Sequence, residues 1–347
     1  MDVTKEAAVT VDVRLASAQE WDCWLADRTD RLTRRITDWY GGAKGAREEA
    51  ERRLALVVRA GRLLALDADG PAPAGAGSAD GAGAASTPIG AGSADGAESA
   101  RTPAGFVAVS VRGATAGGVA GELHEVWVAP AWRRQGIGAA GLAAGLRWLA
   151  EQDCTKAMTT IDAADPASAS LCREWTAAAQ TMERVLGEPP VLPDGFSARP
   201  MVPAEFESWQ AIAVDSFARA LIATGALDEA AAWEKSANDN AALLPDGVAT
   251  RNVSLSVLES DGRRVGSLWL AHHNPSTRSF VCNVQVEPPE RGRGYGRAGM
   301  LAAERIVLAQ GDRSIGLNVF SHNDVARGLY ESLGYRVADR SFSRPLP

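Results

Sequence analysis

A glycine-rich stretch in the last third of the chain has the residue types of an anion-binding loop. An alternating apolar segment ends at Val286, two prolines follow, and glycines then occupy every second position before a helical pattern begins at Ala298. The glycines are Gly292, Gly294 and Gly296. Glycines let successive backbone N–H groups turn toward one point, and a helix N-terminus adds about half a positive charge there. The stretch therefore predicts a strand, a tight loop and a helix that together hold phosphate groups.

Two common phosphate-binding motifs do not fit this stretch. No Gly-Lys-Ser or Gly-Lys-Thr follows the glycines, which excludes a Walker loop. The third glycine, Gly296, comes too early for a dinucleotide-binding fingerprint. A glycine-rich turn without a ligand is the alternative that the spacing alone leaves open.

A tyrosine that follows the next alternating strand is a second candidate for chemistry. Asn323, Ala326 and Tyr330 stand at positions i, i+3 and i+7, which places them on one face of a predicted helix. A phenol on such a face can donate a proton to a leaving group. It can also be a half-buried core residue, and helical spacing alone favours that interpretation.

The first half of the chain repeats the loop. A valine, a proline, an arginine and two glycines recur at the same spacing, as Val128, Pro130, Arg133, Gly136 and Gly138. Upstream, an arginine, a glutamate and a tryptophan also recur at identical spacing, as Arg14, Glu20 and Trp24 and as Arg199, Glu205 and Trp209. We therefore predict two related domains in tandem.

Together these motifs resemble those of the GNAT family of acetyltransferases. The loop reads Val-x-Pro-x-x-Arg-x-x-Gly-x-Gly in both halves, and residues 323–335 match Asn-x-x-Ala-x-x-Leu-Tyr-x-x-x-Gly-aromatic at every position. The resemblance implies two tandem GNAT domains of α+β fold, with acetyl-CoA as cosubstrate and a primary amine as acceptor. The two-domain layout is also similar to that of the mycothiol synthases, but Asn318 stands where those enzymes carry a substrate tyrosine.

The resemblance assigns a set of acetyl-CoA-binding residues to each half. In the second half the set is Val284, Val286, Arg291, Gly292, Arg293, Gly294, Tyr295, Gly296, Arg297 and Asn323. In the first half it is Val128, Arg133, Arg134, Gln135, Gly136, Ile137 and Gly138. The loop residues are expected to hold the pyrophosphate, and Asn323 is expected to hold the pantetheine.

By the same resemblance, Tyr330 and Val286 carry catalysis. The CoA thiolate leaves with a pKa of roughly 8.5, so we expect Tyr330 to protonate it as the general acid. The backbone N–H of Val286 is expected to donate to the developing oxyanion. The general base stays open, because amides occupy the strand positions where many family members have a carboxylate. These amides are Asn283 and Gln285, and the candidate bases are Glu287, His272, His273, Glu234 and a relayed water molecule.

The first half departs from the second motif. Asp165 aligns with Asn323, Cys172 aligns with Tyr330, and no glycine–aromatic pair follows. Without the phenol, we expect a catalytically silent copy, and whether its loop binds CoA is left open.

Composition suggests the domain limits. A Pro/Gly linker at residues 188–195 separates a degenerate first domain, residues 1–187, from a catalytic domain, residues 196–347. Within the first domain, residues 68–103 are almost all small or polar and contain one octapeptide twice. A segment with so few apolar residues is predicted to be a mobile surface insertion.

Hydrophobic periodicity predicts the elements that position these motifs. Strands are predicted at 9–15, 54–58, 62–66, 105–111, 122–128, 198–201, 253–259, 265–272, 278–286 and 315–319, and helices at 18–39, 139–152, within 204–243 and from 323. An Asp261-Gly262 hairpin turn joins two of the strands. Antiparallel hairpins that lead into one strand-loop-helix crossover are typical of an α+β fold.

Charge and cysteine usage narrow the class of protein. The net charge is −7 without a basic run, which argues against nucleic-acid binding, and no apolar stretch is long enough to span a bilayer. Four scattered cysteines argue against a metal site and a redox pair. The first residues lack the apolar core of a secretion signal, so we expect a cytoplasmic protein.

No motif specifies the acceptor. Acidic residues in the helical region of the second half favour a cationic small molecule, although a solvated helix face explains them equally well. They are Asp215, Glu229, Glu234 and Asp239. An amino-sugar conjugate is an alternative acceptor, and a non-catalytic acetyl-CoA-binding regulatory protein is an alternative function. The sequence leaves the oligomeric state open.

Overall fold

The computed structural model describes residues 10–40, 46–48, 50–51, 54, 61–68, 103–115, 118–223, 227–272 and 279–347. Nearly all of the predicted insertion, residues 69–102, lies outside these ranges, and so does His273.

The two halves have parallel element orders. The first contains β1 (Val11–Leu15), α1 (Ala18–Tyr40), β2 (Gly61–Ala68), β3 (Gly105–Thr115), β4 (Gly118–Val128), α2 (Ile137–Glu151), β5 (Cys154–Asp162), α3 (Pro166–Leu171) and β6 (Thr176–Val185). The second contains β7 (Phe196–Pro200), α4 (Pro203–Ala223), α5 (Glu229–Leu243), β8 (Val253–Ser260), β9 (Arg263–His272), β10 (Ser279–Val286), α6 (Tyr295–Ala309), β11 (Ser314–Phe320), α7 (Asp324–Ser332) and β12 (Arg336–Pro345). The predicted α+β fold is confirmed.

The described strands form one 12-stranded sheet in the order β1-β2-β3-β4-β5-β12-β6-β11-β10-β9-β8-β7. The last strand of each half pairs with a strand of the other half. Strand β12 pairs with β5, and β6 pairs with β11. The two exchanged strands also pair with each other. The sheet is therefore continuous across the whole molecule, and residues 188–195 connect β6 to β7 along the chain.

Strand β6 is part of the core of the second half. Met182 is fully buried in one cluster with residues of β9, α6 and β11. Arg184 donates to the buried Glu304 of α6, with Nη1 2.7 Å from Oε1. Burial raises the pKa of Glu304, and the nearby guanidinium of Arg184 opposes that rise. An apolar and an ionic contact thus join β6 to the helix that follows the glycine-rich loop.

Both faces of the sheet carry helices in each half. In the second half, α6 and α7 cover a core that includes Leu268 and Met300, while Trp209 of α4 packs with Trp269 on the opposite face. In the first half, α2 and α1 cover the corresponding faces. Each sheet segment is therefore buried on both sides, which holds the strand ends at fixed positions.

Each half contains two parallel strands that diverge. Strand β10 pairs with β11 from Ser279 to Val281, and β4 pairs with β5 from Val119 to Leu123. Beyond these residues, β10 and β4 run on to the valines at the start of the two loops. The strands separate there, and the divergence opens a wedge in each half.

The arginine and the glutamate that recur near the start of each half form an ion pair in both halves. The guanidinium of Arg14 donates to both carboxylate oxygens of Glu20 at 2.9 and 2.8 Å. Arg199 binds Glu205 in the same way at 2.9 and 2.7 Å. The two halves therefore begin with the same contact between the first strand and the first helix.

Some of the sheet was not predicted. Leu54, expected in a strand, lies in a helical conformation, and residues 55–60 fall outside the described ranges. No sequence pattern had indicated β6 or β12, the two exchanged strands. Among the described residues, no helix combines the length and the apolar character that crossing a bilayer requires.

Candidate active site

The end of β10 directs a backbone donor into the wedge of the second half. Glu287 N donates to Val265 O at 2.9 Å, so the N–H of Glu287 points toward β9. Because antiparallel neighbours alternate, the N–H and C=O of the preceding residue, Val286, point away from β9. Arg291 Nε donates to that carbonyl at 3.3 Å. The N–H of Val286 thus lies on the side where β11 diverges.

The glycine-rich loop has the backbone conformation that its sequence predicts. Gly292 and Gly294 have φ of 78° and 83°, in the left-handed region that favours glycine. A Cβ built on either residue would meet nothing within 4 Å, so the space before the loop is open. Gly294 caps α6, whose first-turn N–H groups have no partner within the helix. Donors, helix dipole and open space together suit an anionic group.

Helix α7 is anchored beside this loop. A Cβ on Gly296 would lie 3.4 Å from Leu329 Cδ2 and 3.9 Å from Val286 Cγ2. Arg297 donates to Ser332 Oγ at 2.6 Å. The two predicted motifs, one before α6 and one within α7, therefore meet in space at the end of β10.

Tyr330 lies on the buried face of α7. Its side chain is 7 % exposed, and its ring lies 6.0 Å from the ring of Tyr335. Burial raises the pKa of Tyr330 to about 12, so the phenol is protonated at neutral pH. Asn323 caps the same helix, with Oδ1 accepting from Ala326 N at 3.1 Å. The cap leaves the amide nitrogen of Asn323 as a donor.

Other residues of the predicted set mainly support the loop. The ring of Tyr295 stacks on Phe196 at 6.2 Å. Val284 faces α6, where a Cβ on Gly299 would lie 3.2 Å from it. Arg293 pairs with the buried Glu290 at 3.3 Å. These contacts fix the start of α6 against β10.

The candidate bases lie in different places. Glu287 follows β10 directly, but its carboxylate forms an ion pair with Arg264 at 2.9 Å. His272 is opposite Ser279, at the far end of β10, and at about 3.4 Å per residue it lies roughly 20 Å from Val286. Glu234 is an exposed residue of α5. The arrangement favours a water relay over His272 or Glu234, and His273 lies outside the described residues.

The first half copies the loop closely. Arg133 Nε donates to Val128 O at 3.0 Å, and Ala129 N donates to Ala104 O at 2.8 Å, so Val128 N–H faces its own wedge. Gly136 caps α2 with φ of 84°. Arg134 takes the left-handed φ, 66°, at the place of Gly292. A side chain is therefore held in a strained conformation where the second half has glycine.

The remaining predicted residues of the first loop also have structural contacts. Ile137 is buried at the start of α2, and Gln135 Nε2 donates to Ala131 O at 3.2 Å. A Cβ on Gly138 would lie 3.7 Å from Val128 Cγ2. The loop thus packs as its counterpart does.

The helix that follows the first wedge differs at the residue that matters for acid catalysis. Asp165 caps α3, accepting from Ala167 N at 3.0 Å, as Asn323 caps α7. Cys172 then stands at the C-terminus of this shorter helix, buried, and burial raises the pKa of its thiol. The predicted alignment of the two halves therefore holds in space, and the first half has a thiol in place of the phenol.

A comparison with known families decides the identity of the fold. The model of the family described as "Acetyltransferase (GNAT) family" matches residues 85–175 and 215–335, which together make up more than half of the chain. This chain belongs to the GNAT family. It is an acetyltransferase with two GNAT regions in tandem.

Individual GNAT proteins support this placement. The "Uncharacterized N-acetyltransferase YdgE" of Bacillus subtilis is 27 % identical over 42 % of this chain and 94 % of its own length. The "Uncharacterized N-acetyltransferase YycN" of the same organism is 33 % identical over 30 % of this chain and 69 % of its own length. A GCN5-related N-acetyltransferase from Sphaerobacter thermophilus aligns at 16 % identity and TM-score 0.55 over 97 % of this chain and 96 % of its own. A tandem GNAT protein from the clavulanic acid biosynthesis pathway aligns at 14 % identity and TM-score 0.50, over 97 % and 99 %. The latter two likenesses concern the fold alone.

The two GNAT regions also differ on the face of the sheet opposite the loop helix. In the first region, Arg31 donates to Glu125 of β4 at 2.8 Å, with Arg28 3.7 Å from the same carboxylate. Burial would raise the pKa of Glu125, but the neighbouring guanidinium groups hold it below its usual value. Arg35 bridges Asp162 of β5 at 2.9 Å and Asp339 of β12 at 2.7 Å. An ion-pair network thus spans this side of the first wedge.

The second GNAT region has small or neutral residues at every one of these places. Counted from the helix starts, Ala18 and Pro203, the three arginines correspond to Ala213, Ser216 and Ala220. Counted from the loop valines and the helix caps, Glu125 corresponds to Asn283 and Asp162 to Phe320. Asp339 lies opposite Asp162 in the sheet, and Ala179 lies opposite Phe320. Ala179 therefore occupies the place in the second region that Asp339 occupies in the first. Sequence reasoning did not predict that the ion-pair network of the first region is replaced in the second. The only signal was the spacing of Arg28, Arg31 and Arg35 at i, i+3 and i+7 on one helix.

Proposed function

We propose that this protein transfers the acetyl group of acetyl-CoA to the primary amine of a small molecule, and that the second GNAT region catalyses the transfer. The observation that carries the proposal is the convergence at the end of β10. There the free side of Val286, the left-handed glycines and the helix of Tyr330 meet beside a wedge. In the first region the phenol is replaced by Cys172 and ion pairs span the acceptor side.

The residues present suit acetyl-CoA. The open space before Gly292 and Gly294, with the first-turn N–H groups of α6 behind it, fits a pyrophosphate. Arg291, Arg293 and Arg297 are exposed around the loop and supply positive charge. We assign the amide nitrogen of Asn323, whose oxygen caps the helix, as a donor to the pantetheine arm, which the family resemblance implies.

The chain's own residues then have separate tasks. Acetyl-CoA supplies a thioester whose carbonyl carbon the neutral amine attacks. Val286 N–H donates to the carbonyl oxygen as negative charge develops on it. Tyr330 donates to the sulfur as the C–S bond breaks. Because its pKa is about 12 and that of a thiol is roughly 8.5, full proton transfer is uphill by about 5 kcal/mol, so the phenol acts chiefly as a hydrogen-bond donor.

The amine must also lose a proton before it attacks. Its ordinary pKa is roughly 10.4, so most molecules arrive as ammonium ions. Asn283 and Gln285, on the α4 side of β10, have no basic group, and Glu287 is paired with Arg264. We propose that a water molecule held by these amides passes the proton to bulk solvent.

Turnover of acetyl-CoA with a panel of primary amines, read as release of free thiol, tests the proposed function. We expect release that depends on both the amine and the enzyme. Tight binding of acetyl-CoA without release for any amine would contradict the proposal and would favour a non-catalytic acetyl-CoA-binding protein.

A further inference from the structure

The wedge of the second region is bordered on its α4 side by short side chains. Ala213 is buried in the core around Trp209 and Trp269, Ala220 carries only a methyl group, and Ser216 is exposed to solvent. At the corresponding places of the first region, long arginine side chains reach across to carboxylates on the strands. The second region therefore lacks the long charged side chains that cross the first wedge, and we call the part of its wedge beside β10 and β11 the acceptor room.

Aromatic rings border this room. The ring of Phe217, on α4, stacks on that of Phe320, at the end of β11, with 6.4 Å between centroids and 28° between planes. The ring of His322 continues the stack, 5.6 Å from that of Phe320 and inclined by 14°. Both phenylalanines are half-buried and His322 is exposed, so the stack reaches the surface. It lies just before Asn323, the cap of the helix that carries Tyr330.

The nearby polar groups are neutral. Asn283 and Gln285 lie on the same face of β10 as the stack, because Val284 between them faces α6. The buried indole of Trp269, opposite Asn283, has an Nε1 donor without a hydrogen-bond partner among the described residues.

Two of the four acidic residues that favoured a cationic acceptor are paired with a cation of their own helix, while Glu229 and Glu234 are exposed to solvent. Asp215 is bound by Arg219 of the next turn at 2.9 Å. Asp239 is likewise bound by Lys235 at 2.7 Å. A second positive charge on the acceptor would therefore gain little from Asp215 and Asp239, because each already has a cationic partner.

We propose that the acceptor is a monoamine that carries an aromatic ring, and that Phe217 and Phe320 select it by stacking on that ring. This inference rests on the proposed function, because it assigns the acceptor of the same site. Offset stacking of one additional ring strengthens an interaction by about 3–10-fold beyond the area that it buries. A neutral room with an aromatic wall thus favours an arylalkylamine over an aliphatic amine or a diamine of similar length.

The test compares three amines at saturating acetyl-CoA: 2-phenylethylamine, hexylamine and 1,6-diaminohexane. We expect kcat/KM for 2-phenylethylamine to exceed that for hexylamine by about fivefold, with 1,6-diaminohexane the poorest. Phe217→Leu and Phe320→Leu should each bring the ratio of the first two amines close to one. Any loss for hexylamine should be smaller than the loss for 2-phenylethylamine, because an aliphatic chain has no ring to stack. Phe342→Leu, a half-buried residue of β12 that packs against the core of the first half, is the control and should not change the ratio.

The outcomes separate the two proposals. Thiol release that favours 1,6-diaminohexane or hexylamine would overturn the aromatic acceptor and leave the acetyltransferase reaction intact. An equal loss for all amines in Phe320→Leu would assign Phe320 to the fold and overturn its role in selection. Absence of release with every amine, from protein that still binds acetyl-CoA, would refute the proposed function itself.

Discussion

The two halves of this molecule share a loop and differ in what surrounds it. Each loop follows a diverging strand, begins a helix with a left-handed glycine, and has its arginine side chain on the carbonyl of its valine. On the far side, the first half has three arginines paired with carboxylates, whereas the second has Ala213, Ser216 and Ala220. The features that suit an anion are thus common to both halves, and those that suit an acceptor are not.

This difference teaches that the loop alone is a poor marker of activity. A glycine-rich loop at a helix N-terminus provides donors regardless of what happens at the other end of the wedge. Activity requires in addition a proton donor and room for the second substrate. Under the proposed function the second half has both, whereas in the first half Cys172 replaces the phenol and ion pairs cross the acceptor side.

The two halves are not independent units, because β6 and β12 each pair with a strand of the other half. Expressing one half alone tests how far each depends on the other. Residues 196–347 expressed alone lack β6, which supplies Met182 and Arg184 to the second core. We expect an aggregated or unfolded fragment without thiol release. Coexpression with residues 1–187 should restore part of the activity. A folded and fully active fragment, by circular dichroism and turnover, would show that β6 is dispensable.

Removal of one oxygen atom should separate catalysis from binding in the second half. Tyr330→Phe keeps the ring, so packing and acetyl-CoA binding should change little, while a hydrogen bond to a developing charge contributes about 1.5–3 kcal/mol, or roughly 10–150-fold in rate. We expect kcat and kcat/KM to fall together by that order, with an unchanged dissociation constant by calorimetry. A variant that kept the wild-type kcat but melted at a lower temperature would make Tyr330 a core residue only.

The acceptor side can be changed toward that of the first half. Ser216→Arg places a guanidinium where Arg31 stands in the first half. Two unit charges at about 4 Å repel by about 1 kcal/mol even in water and by more in a partly buried site. We expect kcat/KM for the amine to fall at least about tenfold, with acetyl-CoA affinity unchanged. Ser216→Gln, long but neutral, is the matched control and should cost less.

The reverse change should not create a second active site. Arg31→Ser removes a principal partner of the buried Glu125, and we expect a destabilisation of about 1–3 kcal/mol. No new turnover should appear, because Cys172 still occupies the place of the phenol. Thermal melting and thiol release on a Tyr330→Phe background would measure both effects, and restored release would contradict the role assigned to Cys172.

The smallest expected effect is shared by both halves. Hydrogen bonds from Arg14 and Arg199 lower the pKa of Glu20 and Glu205 to about 2 in each case. A lowered pKa in the folded state means that the stabilisation is present above the unfolded value, near 4.5, and is lost as the pH falls toward 2. We therefore expect the melting temperature to fall over this window, and to fall less in Glu20→Gln and Glu205→Gln. Equal pH dependence in the wild type and both variants would contradict this origin.

Much of the fold could be predicted from local signals. Alternating strands, the Asp261-Gly262 turn with φ of 51° and 74°, and the cap at Asn323 are short-range features that depend on neighbouring residues. The pyrophosphate loops were predictable for the same reason. Their geometry follows from glycine positions and the start of a helix, which one segment of sequence contains.

The strand exchange and the acceptor side could not be predicted in the same way. Strands β6 and β12 have few alternating apolar residues, and which half each one joins depends on long-range pairing. The arginines of α1 have helical spacing, but only the fold shows that Glu125, Asp162 and Asp339 lie opposite them. Such contacts join residues far apart in the chain, and single-sequence patterns do not encode them.

The most direct test of the central claim compares the same substitution in the two loops. Gly136 and Gly294 have φ of 84° and 83°, and a Cβ on either meets nothing within 4 Å, so Gly136→Glu and Gly294→Glu impose the same backbone strain and the same negative charge. With wild type and both variants folded by circular dichroism, thiol release at a saturating amine is measured. The account predicts that Gly294→Glu loses essentially all release while Gly136→Glu keeps most of it. Loss of release in Gly136→Glu with activity retained in Gly294→Glu would contradict it and would place catalysis in the first half.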